Sequence, residues 1–258
     1  MIDMIALVSG LFSGALVGFT LGLIGGGGSI LAVPLMVYLV GVKEPHVAIG
    51  TSALAVAANA ALGLASHARA GNVRWREGLV FALAGVLGAA GGSSAGKAFN
   101  GQALLFLFAI LMVVIAVLML RRGDHGDSGQ IGFRPVRLAL FGLGTGAVAG
   151  FFGIGGGFLI VPALIAASGL AMLRAVGTSL IAVTAFGLTT AANYALSGLV
   201  DWALAGIFVA GGFLGSYAGT RAAKRLSDKG RLTPTFAAII IAVALYMLYR
   251  SGSELGYL

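Results

Sequence analysis

Long apolar runs with almost no charge constrain this chain more strongly than any other feature of its sequence. Only 9% of its residues are charged, whereas soluble domains carry about 25%. A helix needs about 20 apolar residues to cross a bilayer. Ten apolar segments occur, at about 4–24, 29–42, 47–66, 78–96, 103–120, 135–152, 157–170, 175–196, 199–220 and 233–249. Backbone groups in lipid must pair within the protein, and continuous apolar runs favour helices over a barrel. The sequence therefore predicts an all-α, polytopic integral membrane protein.

The sequence also repeats itself at a spacing of about 127 residues. Gly-Thr-Ser triplets, single tryptophans and Gly-rich runs each occur twice, as Gly50-Thr51-Ser52 and Gly177-Thr178-Ser179, Trp75 and Trp202, and Gly25 to Gly28 and Gly155 to Gly157. Internal repeats of this kind indicate one structural unit used twice. We therefore predict an N-terminal repeat at 1–123 and a C-terminal repeat at 135–258, with five helical segments each and a polar linker at 124–134.

Basic residues indicate how the two repeats are oriented. When successive segments cross or return, their loops alternate between two faces, and 13 of the 16 Lys and Arg residues then fall on one face. Cytoplasmic loops carry such an excess, so the linker at 121–134 is predicted to be cytoplasmic and both termini periplasmic. Because five is an odd number of segments, the second repeat is predicted to have inverted topology. The first basic residue is Lys43, so a cleaved signal peptide is not expected.

The paired Gly-rich turns are the first candidate binding site. Each is followed by a segment of about 14 residues, which spans only ~21 Å and predicts a short or re-entrant helix. Short, Gly-interrupted segments at matching positions of two halves are typical of a transporter's site, and backbone N–H groups at helix starts favour an anion. The candidate donors are Gly25, Gly26, Gly27, Gly28, Ser29, Gly155, Gly156 and Gly157. The alternative is that these glycines only permit tight turns and close packing.

Polar side chains inside the apolar segments are the second set of candidates. They comprise Thr51, Ser52, Thr178, Ser179, Asn59, Asn193 and His67. The hydroxyl groups could bind a ligand oxygen or cap a helix, and the amides could line a cavity or join helices. The repeat places Tyr194 opposite His67, so these two positions break the symmetry between the halves.

Several classes of function are excluded by what the sequence lacks. It contains no P-loop, no cluster of metal ligands and no nucleophile motif, so neither an enzyme nor a cofactor is predicted. There is no cysteine, and the acidic residues fall at or outside segment ends. The net charge of +8 lies mostly in short loops, which favours membrane orientation over nucleic-acid binding. Small residues at every fourth position of 78–96 and 199–220 predict close packing between the halves or a homodimer.

The Gly-rich motifs resemble those of the sulfite exporter TauE/SafE family. The resemblance rests on Gly22-Leu23-Ile24-Gly25-Gly26-Gly27-Gly28 with His46 to Ser52, and on Gly150-Phe151-Phe152-Gly153-Ile154-Gly155-Gly156-Gly157 with Arg174 to Ser179. It implies a bacterial inner-membrane transporter that exports sulfite or organosulfonates such as sulfoacetate. The absence of cysteine argues against a thiosulfate-handling relative. We expect alternating access, with the lipid bilayer and a small anion as partners. The alternatives are a carrier for another small organic or inorganic anion and a non-transporting assembly subunit.

Overall fold

A computed structural model describes residues 4–121, 133–153, 157–227 and 232–254. Within these ranges the secondary structure is helical. We number the helices in chain order as α1 (Met4–Ile24), α3 (Pro45–Arg69), α4 (Trp75–Ala98), α5 (Gly101–Arg121), α6 (Pro135–Phe152), α7 (Gly157–Ser168), α8 (Met172–Ala195), α9 (Trp202–Ser227) and α10 (Leu232–Glu254). The remaining element, α2, is a broken helix made of a 3₁₀ stretch (Gly25–Leu31), an α turn (Ala32–Pro34) and a π turn (Leu35–Leu39).

Each predicted apolar segment corresponds to one of these elements. Six of them, α3, α4, α5, α6, α8 and α9, are long and apolar enough to cross a membrane within the described part of the chain. The prediction of an all-helical, polytopic membrane protein is therefore confirmed. The two segments after the Gly-rich turns differ from each other, because α7 is a 12-residue helix with Pro162 inside it, whereas α2 changes its helix type twice.

The turns at the helix ends follow from local chemistry. α3 begins at Pro45, whose fixed φ suits a first helical turn, and the preceding Glu44 accepts a hydrogen bond from the His46 amide. Gly71 and Gly198 have φ of +72° and +70°. Glycine adopts such angles without a steric penalty, and the two residues follow α3 and α8 in the same way, 127 positions apart.

Glycines hold two pairs of helices in close parallel contact, α1 with α9 and α4 with α6. A Cβ atom on Gly14 would collide with the carbonyl group of Phe208, and one on Gly142 would collide with that of Phe81. Such small-residue contacts let helix backbones approach closely in a membrane. The predicted ridges of small residues therefore pack within the chain.

The central pair of helices is α3 and α8, which are the most buried of the six spanning candidates. Gly63 of α3 lies against the Leu180 side chain, whereas Gly187 of α8 lies against Ala53 and Ala57. Rising residue numbers on one helix meet falling numbers on the other, so the two helices are antiparallel. α2 and α7 contact each other and also α8, and α5 pairs with α10.

Contacts at the helix ends define two ends of this helical bundle. At the linker end, the Arg74 amide donates a hydrogen bond to the Thr178 hydroxyl. At the opposite end, the His46 ring bonds to the Phe99 carbonyl. When successive segments alternate in direction, the two loops that border each of these contacts fall on the same face.

Candidate functional site

The most unusual polar group in the interior is the amide of Asn59. The residue is fully buried near the midpoint of α3, and its side chain fills the notch left by Gly212 of α9. Neither Oδ1 nor Nδ2 has a hydrogen-bond partner among the residues that the structure describes. Burying an unpaired amide costs about 1 to 3 kcal/mol or more, and buried polar groups of folded proteins are normally satisfied. The role of Asn59 as a substrate-binding residue stays a prediction.

Other buried polar atoms lie along the same central helices. The two ring nitrogens of His67 on α3, and the hydroxyl groups of Thr190 and Tyr194 on α8, have no partner within the described ranges. His67 and Tyr194 are 127 positions apart, and the antiparallel packing places them towards opposite ends of the bundle. Like Asn59, these groups belong to the central pair α3 and α8.

The threonines of the Gly-Thr-Ser triplets connect the two halves of the chain. The Thr51 hydroxyl accepts a hydrogen bond of 2.9 Å from the Asp201 amide, and the Thr178 hydroxyl accepts one of 2.9 Å from the Arg74 amide. Asp201 and Arg74 directly precede α9 and α4. The interpretation that these hydroxyls cap their own helices is wrong, because both threonines lie in the second turn of their own helix.

The serines of the same triplets bond to their own helices. The Ser52 hydroxyl donates to the Ile49 carbonyl at 3.0 Å, and the Ser179 hydroxyl donates to the Val176 carbonyl at 2.7 Å. Both side chains are buried. Their role as ligands for an anion stays a prediction.

The first Gly-rich turn folds back tightly onto α1. Gly28 packs against the backbone of Thr20 and Leu21, and the Thr20 hydroxyl donates to the Gly28 carbonyl at 3.3 Å. This close approach leaves no room for a side chain at Gly28. The same 3₁₀ stretch contains Gly25, Gly26 and Gly27 before Gly28, and the buried Ser29 follows Gly28.

The second Gly-rich turn is described only in part. Gly157 is buried and begins α7, whereas Gly155 and Gly156 lie outside the described residues. Because α2 and α7 contact each other and α8, the segments after the two turns pack beside the central pair. The role of these glycines as anion donors stays a prediction.

Asn193 belongs to a different network, at the end opposite the linker. Its Nδ2 donates to the Ser93 and Ser94 hydroxyls at 2.7 and 3.0 Å, and its Oδ1 accepts from Lys97 Nζ at 2.9 Å. The amide of this candidate is thus already bonded, and reasoning from the sequence misses its partner Lys97 as a site residue. The signal that could have revealed Lys97 is its position, since it is one of only three basic residues on the sparsely charged face.

Six helices of the described residues can span a membrane, and the Gly-rich turns occur as a pair. Several buried polar groups of the central helices have no partner among the described residues. These features together define a polytopic membrane transporter rather than an enzyme. Residues 10–247 match the family described as sulfite exporter TauE/SafE. This match covers nearly the whole chain, and the chain belongs to that family.

Curated relatives agree with this assignment. A "probable membrane transporter protein" of Xylella fastidiosa strain 9a5c is 51% identical over 94% of this chain and 95% of its own length. Its counterpart in strain Temecula1 is 49% identical over 94% and 95%. The Bacillus subtilis "probable membrane transporter protein YunE" is 27% identical over 92% and 95%. No solved structure matches the chain.

Proposed function

We propose that this protein exports sulfur-containing oxyanions, sulfite or small organosulfonates, across the bacterial inner membrane by alternating access. The observation that carries the proposal is the amide of Asn59 near the midpoint of α3, which is fully buried and has no partner among the described residues. Its Nδ2 has two N–H groups that can donate to oxyanion oxygens. The central helices α3 and α8 contain no acidic residue, so neither helix carries a negative charge that repels an anion. The choice of a sulfur-containing anion as the cargo rests on the description of the family as sulfite exporters.

Alternating access requires two halves that can exchange roles, and these halves are inverted repeats in our proposal. Equivalent contacts support the two-fold relation, because Thr51 bonds to Asp201 while Thr178 bonds to Arg74, with each residue shifted by 127 positions. The antiparallel packing of α3 against its equivalent α8 supports the inversion. Transporters built from inverted repeats bind their substrates near the bilayer midplane, at the interface between the repeats.

The direction of transport depends on the sidedness, and the proposal puts the linker end in the cytoplasm. The excess of basic residues at that end supports this orientation. With the cell interior negative, outward movement of each negative charge is favoured by ~2.3 kcal/mol per 100 mV. An anion exporter with this orientation therefore needs no acidic proton relay in its membrane segments.

Transport by the purified protein in liposomes tests the proposed cargo. Vesicles loaded with radiolabelled sulfite or sulfoacetate should lose label faster than protein-free vesicles when a potential drives anions outward. Phosphate and acetate serve as comparison anions. Movement of a comparison anion without sulfite or sulfoacetate would change the cargo, and no movement of any of them would favour a non-transporting subunit.

The role of Asn59 is tested by a matched pair of substitutions. Asn59→Leu removes the amide, and Phe186→Leu changes the repeat-equivalent position, which packs against Gly85 as Asn59 packs against Gly212. A hydrogen bond to a charged group contributes about 1.5 to 3 kcal/mol, so Asn59→Leu should slow transport by about tenfold or more at low substrate. Phe186→Leu should retain most of the activity. Equal losses in the two variants would remove Asn59 from the site.

Reporter fusions test the sidedness separately. A reporter that is active only in the cytoplasm should be active when it is inserted in the linker at 121–134 and inactive at the C-terminus. The reverse result would invert the proposed orientation and the direction of transport.

A further inference from the structure

Lys97 occupies an unexpected position for a lysine. It lies in the last turn of α4 at the end opposite the linker, the sparsely charged face whose other basic residues are Lys43 and Arg250. Lys43 and Arg250 are exposed, whereas Lys97 is half-buried and bonds across to α8. Basic residues on the non-cytoplasmic side oppose the usual orientation bias. A lysine that is built into the helix packing on that side is therefore a candidate for a specific role.

The Lys97 ammonium group bonds to three neutral oxygens. Nζ donates to the Asn193 carbonyl at 3.0 Å, to Asn193 Oδ1 at 2.9 Å and to the Ser197 hydroxyl at 2.8 Å. None of these groups neutralises its charge. Ser197 is exposed, so this contact can be exchanged for an oxygen of an incoming anion while Asn193 keeps the lysine in place.

A buried tyrosine lies beside the lysine. The Tyr194 ring centroid is 6.0 Å from Lys97 Nζ. Tyr194 is completely buried, packs against Gly50 of α3, and its hydroxyl has no partner among the described residues. The His46 ring, whose Nε2 is 3.1 Å from the Phe99 carbonyl, lies 6.2 Å from the tyrosine ring. The lysine charge thus lies 6.0 Å from the ring of a tyrosine whose hydroxyl has no partner among the described residues, where α3, α4 and α8 converge.

The other half of the chain has different residue types at two of the three equivalent positions. The positions equivalent to Lys97, Asn193 and Tyr194 are Lys224, Ser66 and His67. Although a lysine recurs, Ser66 bonds to a carbonyl of its own helix and a histidine replaces the tyrosine. The asparagine brace and the tyrosine hydroxyl therefore occur together at one end of the bundle. This asymmetry favours a role for the cluster on one side of the membrane.

We propose that Lys97 and Tyr194 form an oxyanion-binding subsite at the end opposite the linker, where the transported anion stops between the central site and the outer face. The assignment of that end to the exit side rests on the proposed function. Lys97 supplies the charge and one N–H donor, Tyr194 supplies an O–H donor, and Asn193 positions the lysine. An oxyanion oxygen adds attraction between opposite charges, which the neutral Ser197 hydroxyl cannot supply, so the anion displaces the Ser197 contact.

Side-specific transport tests the subsite. Right-side-out membrane vesicles present the outer face to added sulfite, and inside-out vesicles present the cytoplasmic face. In right-side-out vesicles, Lys97→Met should raise the half-saturating sulfite concentration by about tenfold, which corresponds to about 1.4 kcal/mol. Inside-out vesicles should change little. Lys97→Arg should restore most of the affinity, and Tyr194→Phe should cause a smaller rise on the same side. Lys43→Met, which removes an exposed charge at the same end, is the matched control.

Equal effects of Lys97→Met and Lys43→Met, or equal effects in both vesicle preparations, would overturn the subsite while leaving the exporter intact. Binding measured without transport separates the two proposals. In an uncharged detergent without phospholipid, millimolar sulfite should raise the unfolding temperature of the wild type and of Lys43→Met more than that of Lys97→Met. If this pattern holds without transport of any sulfur anion, the subsite stands and the export function fails. If only anionic lipid gives a stabilisation that depends on Lys97, the site binds a lipid headgroup and the proposal fails.

Discussion

Gly146 offers the most direct test of the packing between the two halves. A Cβ atom at this position of α6 would lie 2.7 Å from the carbonyl carbon and 2.8 Å from the Cα of Gly85 on α4, and closer still to the Gly85 carbonyl oxygen. Ordinary contacts of a Cβ atom begin at 3.4 Å. In a Gly146→Ala variant the two backbones must therefore move apart by at least about 0.7 Å, because none of these atoms belongs to a flexible side chain.

The expected cost follows from what this movement breaks. Overpacking a well-packed interface costs about 1 to 3 kcal/mol. The contacts of Gly142 with Phe81 and of Gly150 with Ala89 depend on the same spacing between the helices. We expect Gly146→Ala to destabilise the protein by about 2 kcal/mol, which lowers the unfolding temperature by about 4 to 8 °C in a chain of this size.

Gly144 provides the control for helix propensity. It is exposed on the same helix, and an added Cβ atom there would have nothing within 4 Å. Because alanine is a better helix former than glycine by up to about 1 kcal/mol, Gly144→Ala should be neutral or slightly stabilising. Gly18, which faces Gly212 of α9 in the other helix pair, should respond to alanine as Gly146 does.

Thermal unfolding of the detergent-solubilised variants is the assay. The reasoning predicts that Gly144→Ala unfolds at or slightly above the wild-type temperature, whereas Gly146→Ala and Gly18→Ala unfold together at the lowest temperature. If Gly146→Ala unfolds at the same temperature as Gly144→Ala, close backbone contact does not hold α4 against α6. If Gly18→Ala alone is harmless, the two helix pairs are not energetically equivalent.

Three further predictions concern individual residues, and unfolding temperatures check each of them. Thr51→Val and Thr178→Val should each destabilise the protein by about 1 to 3 kcal/mol, since each leaves a backbone amide of the other half without its acceptor. Replacement of either threonine by serine should be tolerated. Equal losses for valine and serine would refute the hydrogen bond as the cause. Asp201→Ala should cost about 1 kcal/mol, because Oδ1 accepts from the amide three residues along at 2.9 Å, and Asp201→Asn should recover most of it. Alanine at Gly71 or Gly198 should lower the free energy of unfolding by about 1 to 2 kcal/mol, because both residues have positive φ values, although neither position is crowded. An unchanged unfolding temperature would contradict the assigned turn geometry.

Hydrophobicity and helix length are local properties, and the sequence therefore predicts them well. Apolar runs with at most one charged residue locate the ten helical elements of the described chain, and α1 and α6 have the predicted bounds. The 127-residue spacing is also visible in one dimension, and it indicates which contacts recur between the halves. The irregular course of α2 is not predicted from the sequence, and its 3₁₀ stretch contains Gly28, which packs onto the backbone of α1.

The fate of individual polar residues depends on the tertiary structure. Asn59 and Asn193 look alike in the sequence, as single amides in apolar helices. Asn193 meets Lys97 from almost 100 positions away and is satisfied, whereas Asn59 packs on the bare backbone of Gly212 and has no partner among the described residues. No local pattern distinguishes these two outcomes.

The sequence by itself thus determined that this protein lies in a membrane as a bundle of helical segments, because a bilayer selects for length and apolar character. Only the tertiary structure decided which buried polar groups have no partner among the described residues. A hydrogen bond needs its two atoms within about 3 Å, and that proximity is set by the packing of helices far apart in the chain.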